Sequence, residues 1–294
     1  MIAVDEWRSR GRLISTPDGK VFTVRLGPED SNQVPVLVLH GVPTSSWDFA
    51  EAATRVAKTR PVLLFDFLGF GLSDKPEDYG YSLFEQADTA VLMAGIHGFK
   101  HAHLWAHDMG TSVATELLAR RERGQLPVVV ESVTLMNGSV HIELAHLTLS
   151  QRFLRSSLGA LFAKLTTKDA FKAQMRKLFG KPVAESALDG MWELITRESG
   201  ADRLPAISQY LDERKRFHKR WVGALEHLDV PTLVAWGKKD PVAVLAIAEQ
   251  IAKETPGAKA EYWDELGHYP QVEDPAQVVS TLEAFWSRVK PSAA

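Results

Sequence analysis

Six short apolar runs, each halted by a polar or glycine turn, constrain the fold more than any other feature of the chain. They lie at 34–39, 61–65, 102–106, 128–136, 230–236 and 258–263. Continuous runs of this length suit strands buried on both faces, the pattern of a parallel sheet. Parallel neighbours need crossovers, and helical periods at 83–96, 110–122, 243–254 and 275–289 supply them. Segments 12–16 and 20–26 predict an antiparallel hairpin turning at Pro17-Asp18-Gly19. The expectation is an α/β fold: a mostly parallel central sheet with helices on both faces.

One interval breaks the rhythm. From 139 to 228 no strand pattern occurs, and helix formers are punctuated by Gly159, Gly180, Pro182, Gly190, Gly200 and Pro205. The spacing predicts several helices inserted between two core strands. The chain therefore divides into a core domain, 1–138 with 229–294, and a helical cap domain, 139–228. A cap over the carboxyl edge of the sheet would cover the place where open α/β sheets bind ligands. The plainer alternative is a second helical layer with no part in a site.

Asp108 carries the chemistry. It sits in Ala106-His107-Asp108-Met109-Gly110-Thr111, after an apolar run and before a helical period. A small-x-nucleophile-x-Gly turn joining strand to helix is the nucleophile elbow of α/β-hydrolases. Serine is usual there, and a carboxylate changes the reaction. Attack on an acyl carbon would give a reactive anhydride. Attack on a saturated carbon bearing a leaving group gives an alkyl-enzyme ester that water can cleave.

In that fold the partners follow in the order acid, then histidine. Asp240, in Trp236-Gly237-Lys238-Lys239-Asp240-Pro241, and His268, in Leu266-Gly267-His268-Tyr269-Pro270, both follow core strands. The proposed roles are Asp108 nucleophile, Asp240 orienter and His268 base. Taken singly, Asp108 is a helix cap, Asp240 a turn residue and His268 a loop histidine. Order and post-strand position together favour the triad. The backbone amides of Val42, in His40-Gly41-Val42-Pro43, and of Met109 are the expected oxyanion donors. His40 itself is expected to be structural.

Three segments carry a family resemblance. His40-Gly41-Val42-Pro43-Thr44-Ser45-Ser46 resembles the H-G-x-P-T-S-S segment of the epoxide hydrolase and haloalkane dehalogenase branch of the α/β-hydrolases. Asp66-Phe67-Leu68-Gly69-Phe70-Gly71-Leu72-Ser73-Asp74-Lys75-Pro76 and Gly267-His268-Tyr269-Pro270-Gln271-Val272-Glu273-Asp274-Pro275 are similar to two further segments of that branch. Similarity to the mesoderm-specific-transcript type of hydrolase extends to Tyr81-Ser82-Leu83-Phe84-Glu85-Gln86-Ala87 and to Arg220-Trp221-Val222-Gly223-Ala224-Leu225. The resemblance implies an ester-forming aspartate and leaves the substrate open.

Departures from the pattern bear on the leaving group. Dehalogenases of the branch hold halide with a Trp after the nucleophile and an Asn or second Trp. Here Met109 and Val42 stand there, and neither side chain donates a hydrogen bond. Epoxide hydrolases of the branch use cap tyrosines as proton donors. Tyr210 is the only tyrosine in the interval 139–228, and the expected tyrosine position falls near Trp221. An indole N–H hydrogen-bonds an alkoxide without acting as a general acid. Tyr210 is thus the expected acid, with helix packing as its alternative role, and Trp221 a substrate contact.

Charge and composition exclude other classes. Net charge is −3 with pI ≈ 6.4, so no global basic field draws nucleic acid or anionic membrane. Cysteine is absent, which removes disulfides and thiolate metal sites and suits a reducing cytoplasm. The N-terminal residues lack a cationic and apolar leader pattern, and no apolar run spans a membrane. The basic run Glu213-Arg214-Lys215-Arg216-Phe217-His218-Lys219-Arg220 is expected to be a solvated helix face. His101, His103 and His107 share strand parity, but no carboxylate pattern joins them and the resembled branch is metal-free. No metal and no cofactor is expected.

The reading is a cytoplasmic epoxide hydrolase that converts a small apolar epoxide to a vicinal diol, with a homodimer left open. One alternative is haloalkane or halo-acid dehalogenation by the same Asp108. Another is a hydrolase-fold protein that binds without turnover.

Overall fold

The computed structural model describes residues 1–138 and 140–291. Eight strands form one sheet: β1 (Arg12–Thr16), β2 (Gly19–Leu26), β3 (Val36–Leu39), β4 (Val62–Phe65), β5 (His101–His107), β6 (Val129–Met136), β7 (Thr232–Gly237) and β8 (Lys259–Trp263). Their spatial order is β1-β2-β4-β3-β5-β6-β7-β8. The first two pairings are antiparallel and the rest are parallel. The hairpin pairs Thr16 with Gly19, so Pro17 and Asp18 alone form its loop.

The runs from 34 to 236 bury both faces, as their lack of alternation requires, whereas 258–263 forms the edge strand β8 with Lys259, Ala260 and Glu261 exposed. Leu37, Leu39, Leu63, Phe65, Leu104 and Ala106 join one core cluster. Their neighbours Val36, Val38, Val62, Leu64 and Trp105 join the other. Period-two alternation here separates two apolar layers rather than core from solvent.

The core helices are α1 (Val4–Ser9), α2 (Ala50–Val56), α3 (Leu83–Ile96) and α4 (Met109–Glu122). Helix α3 begins with a capping box: Ser82 Oγ accepts from the Glu85 amide, and Glu85 accepts from the Ser82 amide. Helix α4 is buried along most of its length against the sheet, α3 and an inserted helix. Helices α1 and α2 escaped the sequence reading because six or seven residues are too few to establish a period.

Between β6 and β7 lie only helices among the described residues. They are α5 (Leu149–Leu154), α6 (Gly159–Leu165), α7 (Lys168–Arg176), α8 (Glu185–Thr196), α9 (Leu204–Ile207), α10 (Tyr210–Arg216) and α11 (His218–Glu226). The first residue of the expected cap, 139, lies outside the described residues. Helices α12 (Leu245–Glu254), α13 (Pro270–Glu273) and α14 (Pro275–Trp286) complete the core. Asp274 caps α14 by accepting from the Gln277 amide at 3.0 Å, with Pro275 in the first turn. Among the described residues, no helix is long and apolar enough to cross a membrane.

Candidate active site

The junction of β5 and α4 places Asp108 at φ 47°, ψ −116°. A non-glycine residue held there carries about 1–3 kcal/mol of backbone strain, which the packing around it must outweigh. Two glycines make this possible. A Cβ on Gly110 would lie 2.1 Å from the Leu39 carbonyl oxygen, so only glycine lets α4 start this close to β3. A Cβ on Gly41 would lie 2.5 Å from the Asp108 Cβ, so the 40–43 loop must be bare to meet the carboxylate. That closeness lets the Val42 amide donate to Asp108 Oδ2 at 2.8 Å. The other carboxylate oxygen is then left for the cavity.

Asp240 and His268 meet as their chain order requires. His268 Nδ1 lies 2.7 Å from Asp240 Oδ2, and both residues are buried. Asp240 is held rigidly: Oδ1 accepts from the Val242 and Ala243 amides, and Oδ2 also accepts from Asn137 Nδ2 at 2.9 Å. Asn137 is a site residue that the sequence reading passed over. Its only signal there was an amide at the end of a core strand. It sits at φ 41°, and its Oδ1 accepts from the Gly237 amide, locking β6 to β7 beneath the acid.

The His268 loop is fixed from two sides. Glu273 accepts from the Gly267 and Tyr269 amides, and also from the Gly180 and Lys181 amides of the helical insertion. The His268 amide donates to the Leu178 carbonyl. Burial alone would lower the His268 pKa. The Asp240 charge and hydrogen bond, helped by the charges of Asp108 and Glu273, outweigh burial and push it up to about 9. His107, by contrast, is driven down to about 4, by burial first and by the His268 charge second. It is therefore neutral, and its Nε2–H donates to the His268 carbonyl.

His40 is structural as expected. Its Nδ1–H donates to the Gly41 carbonyl, and its Nε2 accepts from the Phe67 amide. His101, His103 and His107 turn to Glu131, Ser132 and the His268 carbonyl, so shared parity does not gather them.

A cavity of about 120 Å³ opens on Asp108, His268 and Val42. Its other walls come largely from the helical insertion, including Leu154, Phe162, Phe171, Met175, Trp192 and Tyr210. Larger surface hollows occur elsewhere, one of about 550 Å³ between β8 and α14, but none of the triad lines them. Chemistry rather than volume marks the site.

Tyr210 faces the cavity. Its hydroxyl accepts from Gln151 Nε2 at 3.2 Å, which leaves its own hydrogen free to donate. Burial and the Asp108 charge push its pKa up to about 12, so the phenol is protonated at neutral pH. Trp221 corrects an expectation. It does not line the cavity; its indole N–H donates to Glu116 Oε2 at 3.0 Å within the α4–α11 contact. The indole found a buried carboxylate on α4 instead of the site.

The basic run also divides. Lys215, Arg216 and Lys219 are exposed, as a solvated face requires. Arg220 pairs with Glu116, and Arg214 is buried beneath the elbow. Arg214 Nε donates to Ser112 Oγ at 2.9 Å, and Nη2 approaches the Asp108 carbonyl at 3.4 Å. Its guanidinium stacks 4.6 Å from the Tyr210 ring centroid, a cation–π contact. Position 214 lies one helical turn beyond Tyr210, a signal that the charge of the run obscured.

Comparison with known proteins agrees with this architecture. A family model described as the alpha/beta hydrolase fold matches residues 34–275. The protein LipZ of Mycobacterium tuberculosis is 41% identical over 276 residues, covering 93% of this chain and 94% of that one. The human mesoderm-specific transcript homolog protein is 32% identical over 295 residues, covering 96% and 88%. The resemblance read from the 81–87 and 220–225 segments thus extends along the chain. The haloalkane dehalogenase DbeA from Bradyrhizobium elkani superposes with TM-score 0.79 at 21% identity, covering 94% of this chain and 97% of that one. An esterase superposes similarly, so these structures establish the fold and leave the reaction open.

Proposed function

Because the chain belongs to the α/β-hydrolase family, we propose that it is an epoxide hydrolase working through an ester on Asp108. The free oxygen of Asp108 attacks a ring carbon. The C–O bond breaks, and the departing oxygen takes the Tyr210 proton. A neutral 2-hydroxyalkyl ester and a phenolate result. Arg214, stacked on that ring, favours the phenolate.

Esterification removes the Asp108 charge that helps hold the His268 proton. The imidazole pKa falls as the ester forms, so the resting imidazolium passes its proton through water to the Tyr210 phenolate, and neutral His268 becomes the base. His268 Nε2 then takes a proton from water, and hydroxide adds to the ester carbonyl. The Val42 amide already contacts Asp108 Oδ2 and, with the Met109 amide, holds the oxyanion. Collapse releases the diol, whose oxygen receives the imidazolium proton. The Asp108 carboxylic acid left by collapse gives its proton to His268, which restores the resting pair. In this reading the insertion is a cap, and its apolar walls select a small apolar substrate.

One observation carries the proposal: Tyr210, with a free hydroxyl hydrogen, lines the same cavity as Asp108 and His268. Trp192 also lines that cavity, and an indole N–H donor among its walls favours halide release as a second reading. A single turnover in H₂¹⁸O tests the ester. The Asp108 peptide gains one ¹⁸O if water attacks the enzyme ester. Turnover that leaves Asp108 unlabelled refutes the mechanism. Diol or halide in the product mixture separates the two substrate classes.

A further inference from the structure

Away from the catalytic cavity, three side chains converge where the insertion leaves the core. His141 and Glu143 follow β6, and His218 opens α11. One donor atom from each lies within 4.8 Å of the other two. His141 Nδ1 is 2.8 Å from Glu143 Oε1, and His218 Nε2 is 3.6 Å from the same oxygen. Tetrahedral zinc, with bonds of about 2.0–2.2 Å, needs donors about 3.3 Å apart. The first separation must widen and the second must close by a few tenths of an ångström, and the two nitrogens, now within 4.8 Å, must reach the same spacing.

Two further features point to a ligand. His218 Nε2 is a buried atom with no hydrogen-bond partner among the described residues. An imidazole nitrogen left bare against a carboxylate is a donor waiting for an acceptor of electron pairs. His141 spends its second nitrogen on a buried carboxylate: Nε2 lies 2.6 Å from Glu254 Oε1. Glu254 is in turn bonded by Gln250. A histidine backed by an outer carboxylate is the usual arrangement around a metal, since it fixes the tautomer and raises ligand basicity.

We propose that His141, Glu143 and His218 form a binding site for a divalent transition metal such as Zn²⁺, oriented by Glu254 and open to water at the fourth position. The metal would tie the segment after β6 to α11 and, through Glu254, to α12. It would brace the base of the insertion without entering the catalytic step. His218 is distant from His141 in the chain, and only folding brings the two rings together.

The test uses the full chain, stripped with EDTA and titrated with zinc against a chromophoric chelator. Cobalt serves as a spectroscopic probe of coordination. The expected result is one saturable site, the intense visible bands of four-coordinate cobalt, and a rise in thermal midpoint on zinc addition. His218→Ala, at a half-exposed position, abolishes all three. Glu254→Gln weakens zinc binding about 10–100-fold without touching the metal. His268→Gln leaves binding unchanged, which separates this site from the catalytic histidine. Absence of saturable binding overturns the proposal in favour of a plain His141 ion pair between two glutamates. Binding unchanged in His218→Ala also overturns it.

Discussion

Asp240→Asn is the substitution whose outcome the site geometry defines most sharply. Asp240 Oδ1 accepts from two backbone amides, Val242 and Ala243, which cannot reverse. The new side-chain carbonyl takes that place, since the reverse would set an NH₂ against two fixed amides, and its NH₂ faces His268 and the Asn137 amide. There it meets the Nδ1–H that Asp240 now accepts at 2.7 Å. Two donors cannot share the contact, so the imidazole shifts to the Nε2–H tautomer. Nδ1 then accepts from the amide, and no lone pair remains to take a proton from water.

The electrostatic loss adds to this. The pair holds His268 at about 9 against an ordinary 6.5, worth about 3 kcal/mol, although burial acts the other way. Without the charge, burial should take the imidazole below 6.5. Ester hydrolysis should slow at least about 10³-fold, while Asp108 still attacks. The alkyl-enzyme should then accumulate and appear in the intact mass. Imidazole ¹⁵N NMR should show the exchanged tautomer and the lowered titration. A variant that keeps the wild-type tautomer, or hydrolyses its ester within tenfold of the wild-type rate, would refute the assignment of Asp240 and His268.

Tyr210→Phe should reduce kcat on epoxides about 10²-fold or more while alkyl-halide turnover changes only a few-fold. Equal losses on both would mean that Tyr210 packs the cavity rather than donating a proton. Stability should carry a His268 signature. Its folded pKa is raised, so its contribution is complete below about 6.5 and is lost as pH rises through about 9. Urea unfolding of wild type and His268→Gln should therefore differ by about 3 kcal/mol less at pH 10 than at pH 6; a constant difference would contradict the pairing. Gly110→Ala forces a Cβ into the Leu39 carbonyl and should destabilise by about 3 kcal/mol, read as a lowered urea midpoint. A midpoint equal to wild type would mean that β3 and α4 separate without cost.

The chain wrote its scaffold locally. Runs such as 34–39 and 61–65 are apolar at every position, and that pattern is enough to specify strands buried on both faces. The Gly41 and Gly110 turns, and the order Asp108, Asp240, His268, are likewise legible, because an elbow and two post-strand loops are short-range features. The sequence by itself thus determined the sheet, the insertion and which carboxylate would face the cavity. It did not determine what else surrounds that carboxylate. Helical period places Tyr210, Arg214 and Trp221 on related faces, yet Tyr210 reached the cavity, Arg214 the underside of the elbow and Trp221 the Glu116 carboxylate. Asn137 under Asp240, and His218 beside His141, are equally invisible in one dimension. Those contacts depend on the angles at which short helices cross the sheet edge, and many side chains beyond their own fix those angles. Only the tertiary structure could decide them.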